Sequence, residues 1–560
     1  MRITHTVLAL TICASTTFAR EPRRSDTVRL ASPLDIPFYL AGNFAELRKS
    51  HFHSGIDFKT QGRTGLPVRS ADDGYISRAT VSPWGFGRAV YVTHPETGLT
   101  TVYGHLEAFS DDIDIRVRDE QYARETFTID LSFAPGELPV RRSDIIGLSG
   151  NAGSSGGPHL HMDVRDTETG DPLDPLEYYR DRITDNVAPQ VRQLAVFPAD
   201  GGIVDGSVSQ PKLLAPENFS ADIHAWGRIY PGIKAYDRMT GTNNIYGIKY
   251  LTLTLDGDTI YHRVTDRFSF DTTKAIHTLV HYPHVASSGS WIMVTRIPDS
   301  DPLPYMTEAQ NRGIIDINEE RPYRFEWILR DEHGNTTRQP FTVVGQRSPV
   351  MAEIANGQLM HWNSENTCET EDYSVTIPED ALYDNAFIDI SSSTSADGIS
   401  RVVTIGDPGI PLDKAFEFAV RLLNDTIADP AKYCLVRTDG KRRSAIASSY
   451  ADGWIYASPD AFGTFMVTTD TIAPVIRPVA PKQWNGGTLK FRITDNLSGI
   501  ATYRGEIDGK FALFELDGKT ATISFDMDSR RFTKGKDHTV TITVTDACGN
   551  ETVHSDKFRW

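Results

Sequence analysis

Two short words hold the residues best suited to chemistry, His53-Ser54-Gly55-Ile56-Asp57 and Pro158-His159-Leu160-His161. On a β-strand, residues two apart point to the same face, so His159 and His161 can reach one point. Imidazole nitrogens and one carboxylate form a donor set that Zn²⁺ accepts while keeping an open fourth position for water. That combination suits hydrolysis.

Strands must carry these residues. Alternation is visible in Ala89-Val90-Tyr91-Val92-Thr93 and in Thr101-Val102-Tyr103-Gly104-His105-Leu106, each bounded by turn residues. A glycine-dense loop from Gly147 to Pro158 feeds directly into His159. The charged stretch from Asp111 to Leu138 reads as an insertion between strands. Residues 20–184 therefore predict an antiparallel, β-rich domain that contains every motif residue.

The whole chain, 560 residues long, is too long for one core. Its 57 Lys and Arg against 74 Asp and Glu give a formal net charge of −17. Such a balance argues against a nucleic-acid partner and against electrostatic docking on anionic membranes. Arg2, the apolar run Val7–Ala14 and Thr17-Phe18-Ala19 predict a signal peptide over residues 1–19. No later apolar run reaches the roughly 20 residues of a membrane span. A periplasmic or extracellular protein is expected, and in such compartments disulfides form. Cys13 lies in the signal segment. Cys368 and Cys434 fall in one module and are the candidate pair, which leaves Cys548 as a buried thiol.

Beyond residue 185 an internal repeat appears. Asp185-Asn186-Val187-Ala188-Pro189 recurs as Asp470-Thr471-Ile472-Ala473-Pro474, and Asp237-Arg238-Met239-Thr240-Gly241 as Asp495-Asn496-Leu497-Ser498-Gly499. Tyr323, Phe325, Trp327 and Leu329 alternate into Asp331-Glu332-His333-Gly334-Asn335. Val540, Ile542 and Val544 run likewise into Asp546-Ala547-Cys548-Gly549-Asn550. The pattern predicts β-sandwich modules over 185–346 and 471–560, with a β-rich middle domain over 347–470. Both sandwich modules resemble bacterial immunoglobulin-like domains. The expected fold class is mostly β throughout.

His53-xxx-Asp57, Tyr103-Gly104-His105, Gly150-Asn151-Ala152-Gly153 and His159-x-His161, in that order and spacing, resemble the lysostaphin-type (LytM) zinc endopeptidases. The likeness covers roughly residues 35–175. It implies zinc held by His53, Asp57 and His161, with His105 and His159 flanking the water. Zinc so held brings the pKa of water toward ~7. A neighbouring histidine then accepts the water proton, or as imidazolium stabilises the oxyanion and protonates the leaving amine. Tyr103, taken to share a strand face with His105, is expected to donate a hydrogen bond to that oxyanion. The implied substrate is the peptide part of peptidoglycan. A glycine-lined entrance leaves room for it, and the sandwich modules would serve as spacers or as docking surfaces for cell wall or protein.

Two other functions share these words. One is a non-catalytic LytM-type protein that activates another cell-wall hydrolase; the other is a zinc endopeptidase acting on proteins. Among competing motifs, Gly153-Ser154-Ser155-Gly156-Gly157 fits the serine-hydrolase elbow, but a strand and not a helix is expected after it. His277, His281 and His284 read as scattered loop histidines, His94 as a surface residue and His51 as a wall residue. A chain ending near Thr184 is expected to fold alone, because few contacts should cross the module boundary.

Overall fold

The computed structural model describes residues 27–350, 356–395, 398–440 and 442–560. The signal-peptide segment 1–19 and Cys13 lie outside the described residues. In the first unit the chain forms β1 (Leu40–Gly42), β2 (Ile56–Lys59), β3 (Pro67–Arg69), β4 (Gly74–Val81), β5 (Arg88–His94), β6 (Leu99–Leu106) and β7 (Ala108–Phe109). Helix α1 (Asp111–Ala123) follows, then β8 (Ile129–Ser132), β9 (Pro139–Val140), β10 (Ile145–Leu148), β11 (His159–Asp166) and β12 (Pro172–Leu173). The main sheet has the order β1-β2-β11-β6-β5-β4-β8, with β12 on β11 and β9 on β4. A second sheet, β3-β10-β7, completes the domain.

The period-2 pattern of β11 explains its place at the centre. Leu160, Met162 and Val164 are fully buried in the core on one face, which puts His159, His161 and Asp163 on the other. The charged insertion holds α1 and β8. Asp111, Asp112 and Asp114 fill the first turn of α1, where carboxylates complement the helix dipole, and Ile113 and Val117 bury its inner face.

Three further β-rich units follow. Residues 190–345 form one connected ten-stranded sheet, with Leu251, Leu253, Trp327 and Leu329 in the largest of its core clusters. Its strands Ile223–Tyr236 and Thr336–Gly345 meet in parallel. Tyr323, Phe325, Trp327 and Leu329 are all buried, as their alternation requires. Residues 366–469 carry two five-stranded sheets and residues 475–559 two four-stranded sheets.

The expectation of few contacts at residue 184 does not hold. Met239 and Tyr246 of the second unit lie in the core of the first, and the Tyr246 hydroxyl donates to Leu40 O at 2.9 Å. Lys249, 6% exposed, pairs with Asp174 at 2.8 Å and Glu177 at 2.9 Å on one side and with Glu332 at 2.5 Å on the other. Phe44 and Phe52 pack on Phe268. The repeated Asp-x-(Val/Ile)-Ala-Pro word marks a change of sheet, but the hydrophobic surface on either side is shared.

The last unit also touches the first. Arg88 pairs with Glu515 at 2.5 Å and Arg504 with Glu125 at 2.7 Å. The Arg531 guanidinium lies over the Tyr122 ring at 3.4 Å, and the Lys519 ammonium donates to Asn151 O and Ser155 O. Among the described residues all three cysteines are free. Cys368 and Cys434 lie on strands of different sheets. Cys434 shares a small buried cluster with Cys548 of the last unit, not with Cys368.

Candidate active site

His53, Asp57 and His161 converge. In the β2–β11 ladder His161 stands directly opposite Asp57. Between His53 and Asp57 the chain passes so close to β11 that a Cβ on Gly55 would lie 2.1 Å from Met162 O, so only glycine fits this position of the first word. His53 Nε2 lies 3.1 Å from Asp57 Oδ1 and 3.1 Å from His161 Nδ1, and His161 Nδ1 lies 2.9 Å from Asp57 Oδ1. One ligand atom from each falls within a 4.8 Å triangle, and all three residues are buried.

Hydrogen bonds outside the triangle fix which ring atoms face inward. His53 Nδ1 is 2.6 Å from Asn43 O, a carbonyl that can only accept, so His53 keeps its proton there. His161 Nε2 is 2.6 Å from Asp163 Oδ1 and donates in the same way. Two imidazole lone pairs and a carboxylate oxygen are therefore aimed at one another with no hydrogen between them. Such a set is repulsive by itself and fits a cation, and two imidazoles with one carboxylate are donors that Zn²⁺ accepts. Burial opposes ionisation of Asp57, but the imidazoles of His53, His159 and His161 around it hold the carboxyl well below its usual range. Burial likewise disfavours a charged His161, yet Asp163 and Asp57 outweigh it and raise the ring to about 9. The surroundings demand positive charge at this point.

Asp163 is the residue missed from the sequence. It is fully buried and accepts from His161 Nε2, from Ser54 Oγ at 2.9 Å and from Arg165 Nε at 2.9 Å. Its position two residues after His161, on the same strand face, was the available signal.

His105 and His159 sit together at the mouth of the triangle, their ring centroids 4.7 Å apart. His159 Nε2 lies 3.4 Å from Asp57 Oδ1, and its Nδ1 donates to Gly157 O at 2.8 Å. His105 Nδ1 donates to Ala152 O at 2.9 Å, which leaves Nε2 as the acceptor. Burial, with His161 and His159 close by, lowers His105 to about 3, so this ring is neutral at physiological pH.

His105 reaches the site through a strained backbone. Its φ is +61°, rare for a residue with a Cβ, and the β5–β6 register shifts here, from Arg88↔Leu106 to Val90↔Tyr103. This irregularity breaks the alternation on which the placement of Tyr103 rested. Tyr103 is fully buried in the core on the opposite side. Its hydroxyl accepts from Ala71 N at 2.7 Å and Thr101 Oγ1 at 3.0 Å, and burial, chiefly, raises it to about 12. Tyr103 is a core residue and donates nothing to the site.

The remaining histidines also fall into place. His94 is fully buried, bridging Asp73 O and Thr101 Oγ1, and not on the surface. His277 is in a 3₁₀ turn, buried, with Nε2 on Lys49 O at 3.0 Å, while the His281 ring stacks on Phe197. His51 is on the exposed rim, beside Ser50 Oγ at 3.3 Å. The segment after Gly153-Ser154-Ser155-Gly156-Gly157 is strand β11, so no serine-hydrolase elbow forms. That glycine loop lies against residues 85–87. A Cβ on Gly153 (φ +66°) would approach Gly87 N to 2.3 Å.

Comparison with known proteins gives matches at both ends of this picture. Over 124 residues the chain is 33% identical to the DD-carboxypeptidase/endopeptidase Mpg of Neisseria meningitidis serogroup B, 22% of each protein. Over 111 residues it is 30% identical to an uncharacterized metalloprotease of Haemophilus influenzae, 20% of this chain and 18% of that protein. The lysostaphin-type resemblance holds. The chain thus spans about a fifth of the length of the curated relatives it matches. Among solved structures, the catalytic domain of lysostaphin from Staphylococcus simulans matches at 20% identity, 26% of this chain and 92% of that one, with a TM-score of 0.20. A zinc-containing peptidase from Vibrio cholerae matches at 26% identity, 25% of this chain and 37% of that one, with a TM-score of 0.19. Residues 357–470 match the model of the Zu5-like domain.

Proposed function

We propose that the protein is an exported zinc metalloendopeptidase that hydrolyses peptide bonds of peptidoglycan. The observation that carries this reading is the inward-facing triangle of His53 Nε2, Asp57 Oδ1 and His161 Nδ1 with two more imidazoles at its mouth. Zinc held there supplies Lewis acidity that polarises the scissile carbonyl and acidifies water. His105, anchored on Ala152 O and neutral, offers the Nε2 lone pair that takes a proton from the attacking water. His159, anchored on Gly157 O, presents Nε2 to the same space, where as imidazolium it would steady the oxyanion, and His105 returns to the leaving amine the proton it took from water. Asp163 keeps the His161 proton on Nε2, away from the metal.

Peptidoglycan as substrate is supported by the family resemblance and by the glycine-lined loop 150–157, which leaves room for small-residue peptides. Export is supported by the N-terminal sequence, and among the described residues no helix is long and apolar enough to cross a membrane. The units after residue 185, the first and last of which we take to be immunoglobulin-like, would hold the enzyme near its insoluble substrate.

The decisive assay offers purified full-length protein both peptidoglycan and an unfolded protein, with and without a chelator. Chelator-sensitive loss of peptide cross-links is expected, read in the muropeptides that a muramidase subsequently releases, with little cleavage of the protein. His105→Ala and His159→Ala should keep zinc and lose on the order of 10²-fold in rate. A zinc-loaded protein that cleaves neither substrate would instead be the non-catalytic activator.

A further inference from the structure

The loop that orients both imidazoles at the mouth of the triangle has little of its own to fix it. His105 Nδ1 donates to Ala152 O and His159 Nδ1 to Gly157 O, so the aim of each ring depends on where residues 150–157 lie. Four of those eight residues are glycine, the residue with the most backbone freedom to lose. Beyond the adjoining residues, nothing comes within 4 Å of a Cβ added at Gly156 or Gly157. Within the first unit, Ser154 N donates to Gly85 O at 2.9 Å and Gly85 N to Ser154 Oγ at 3.0 Å. Those bonds fix the middle of the loop.

A further hold comes from the last unit. Its strands Glu515–Asp517 and Thr522–Asp526 form a hairpin. Asp517 shapes the turn by accepting from Lys519 N at 3.1 Å and from Thr520 Oγ1 at 2.7 Å. The Lys519 ammonium, at the tip, donates to Asn151 O and, at 3.2 Å, to Ser155 O. Asn151 immediately precedes Ala152. Ser155 stands two before Gly157, and its own Oγ donates to Gly157 O at 2.7 Å. One cation thus bridges the two arms of the loop that carry the anchoring carbonyls. An ammonium has three donors and no acceptor, which suits a pair of carbonyls.

The same hairpin meets the turn that carries the backbone partner of His105. A Cβ on Gly518 would lie 2.6 Å from the Trp84 ring, so glycine lets the hairpin lie flat against the indole. Trp84 opens a turn closed by Gly87 N donating to Trp84 O at 3.1 Å, and within it Phe86 O accepts from His105 N at 2.8 Å. The last unit is also seated by contacts that do not involve Lys519: Arg88 with Glu515, Arg504 with Glu125, and Arg531 over the Tyr122 ring. Removing the Lys519 donors therefore frees the loop and leaves the unit docked.

We propose that Lys519 is a positioning residue for the metal site: its ammonium orders the glycine loop, and the loop, through Ala152 O and Gly157 O, aims His105 and His159. The proposal rests on the peptidase reading above and gives the last unit a share in the site itself. Lys519 touches neither the triangle nor the imidazoles. It acts on the fraction of molecules in which both rings point at the same place, and a population shift of that kind lowers turnover without changing the donors that bind the metal.

The test compares full-length, zinc-loaded wild type with Lys519→Met, which keeps the apolar stem without the donors, and with Lys519→Arg, which restores N–H groups to the same carbonyls. Two readouts are taken: hydrogen exchange of the amides in residues 150–157, and kcat and KM on soluble cross-linked muropeptides. In Lys519→Met the loop amides should exchange about 3- to 10-fold faster, the weight of a hydrogen bond in the open. Its kcat should fall by about the same factor, with KM, zinc content and thermal midpoint as in the wild type. Lys519→Arg should recover both exchange and kcat. Unchanged loop exchange in Lys519→Met would overturn the proposal, and so would faster exchange with unchanged kcat. A rise in kcat would overturn it too, by showing that the hairpin restrains the site instead of aligning it. A wild type that holds zinc and cleaves nothing would refute the peptidase reading, while the exchange rates alone would still judge whether Lys519 orders the loop.

Discussion

Asp163→Asn tests the logic of the site at one atom pair. Asp163 Oδ1 accepts from His161 Nε2 at 2.6 Å while Oδ2 accepts from Arg165 Nε at 2.9 Å and Nη2 at 2.5 Å. Asparagine has one acceptor oxygen and one donor amide. Arg165 presents two N–H groups and cannot accept, so it draws the oxygen of the substituted side chain to itself. The amide then faces His161 Nε2, which must accept, and the His161 proton moves to Nδ1, inside the metal triangle. A protonated Nδ1 cannot ligate. Restoring the tautomer would set the amide against Arg165, and either choice costs about one charge-assisted hydrogen bond, about 1.5 to 3 kcal/mol. The matching loss of zinc affinity is about 10- to 100-fold, the usual range for removing the partner of a ligating histidine. The readout is competition with a chromophoric chelator on protein whose folding is checked by circular dichroism. Zinc affinity within about twofold of wild type, in a folded variant, would falsify the tautomer argument.

Three further outcomes are expected. Tyr103→Phe leaves the buried Ala71 N–H without an acceptor and should cost about 1 to 3 kcal/mol in urea unfolding, with the rate per zinc-loaded molecule unchanged; a large fall in rate with normal stability would return Tyr103 to the site. Burial, with the Asp331 and Asp185 charges adding to it, raises Asp237 to about 8. A carboxyl raised in the folded state binds more protons there than in the unfolded chain, so stability falls as pH rises between the ordinary carboxyl value and 8. Asp237→Asn should flatten that slope in thermal scans across this window, and an unchanged slope would remove Asp237 as its source. A chain ending near Thr184 strands Asp174 and Glu177 without Lys249 and exposes core surface that Met239 and Tyr246 cover. It should aggregate on refolding, whereas a chain ending near Gln346 should be soluble and bind zinc. A monomeric, zinc-binding 1–184 chain would show that the interface is dispensable.

How much of this was legible depends on the range of each interaction. The paired words around His53 and His159 were readable because β-strand alternation is local: His159, His161 and the buried Leu160, Met162 and Val164 obey it without exception. The same rule applied one step further would have found Asp163. It failed at His105, where a positive φ and a register shift turn the chain, and a strand pattern carries no mark of such an irregularity. The repeated Asp words announced two similar modules but not which of their carboxylates come together, Asp185 with Asp331 in one and Asp470, Asp495 and Asp546 in the other. Burial of His94 and the company of Cys434 and Cys548 are long-range facts with no local trace.

The contacts of Lys519 with Asn151 and Ser155 tie the glycine loop beside the site to a residue 364 positions later in the chain, and Arg88 is tied to Glu515 across 427. The last unit therefore folds back onto the first. Closing so long a span costs little more entropy than closing one half its length, but it can happen only after the last strands exist. The ligand-bearing sheet is made early, and the lysine that holds the loop beside it is made 364 residues after Ser155. A chain clipped before Lys519 keeps every donor atom of the metal triangle and loses that hold on the loop.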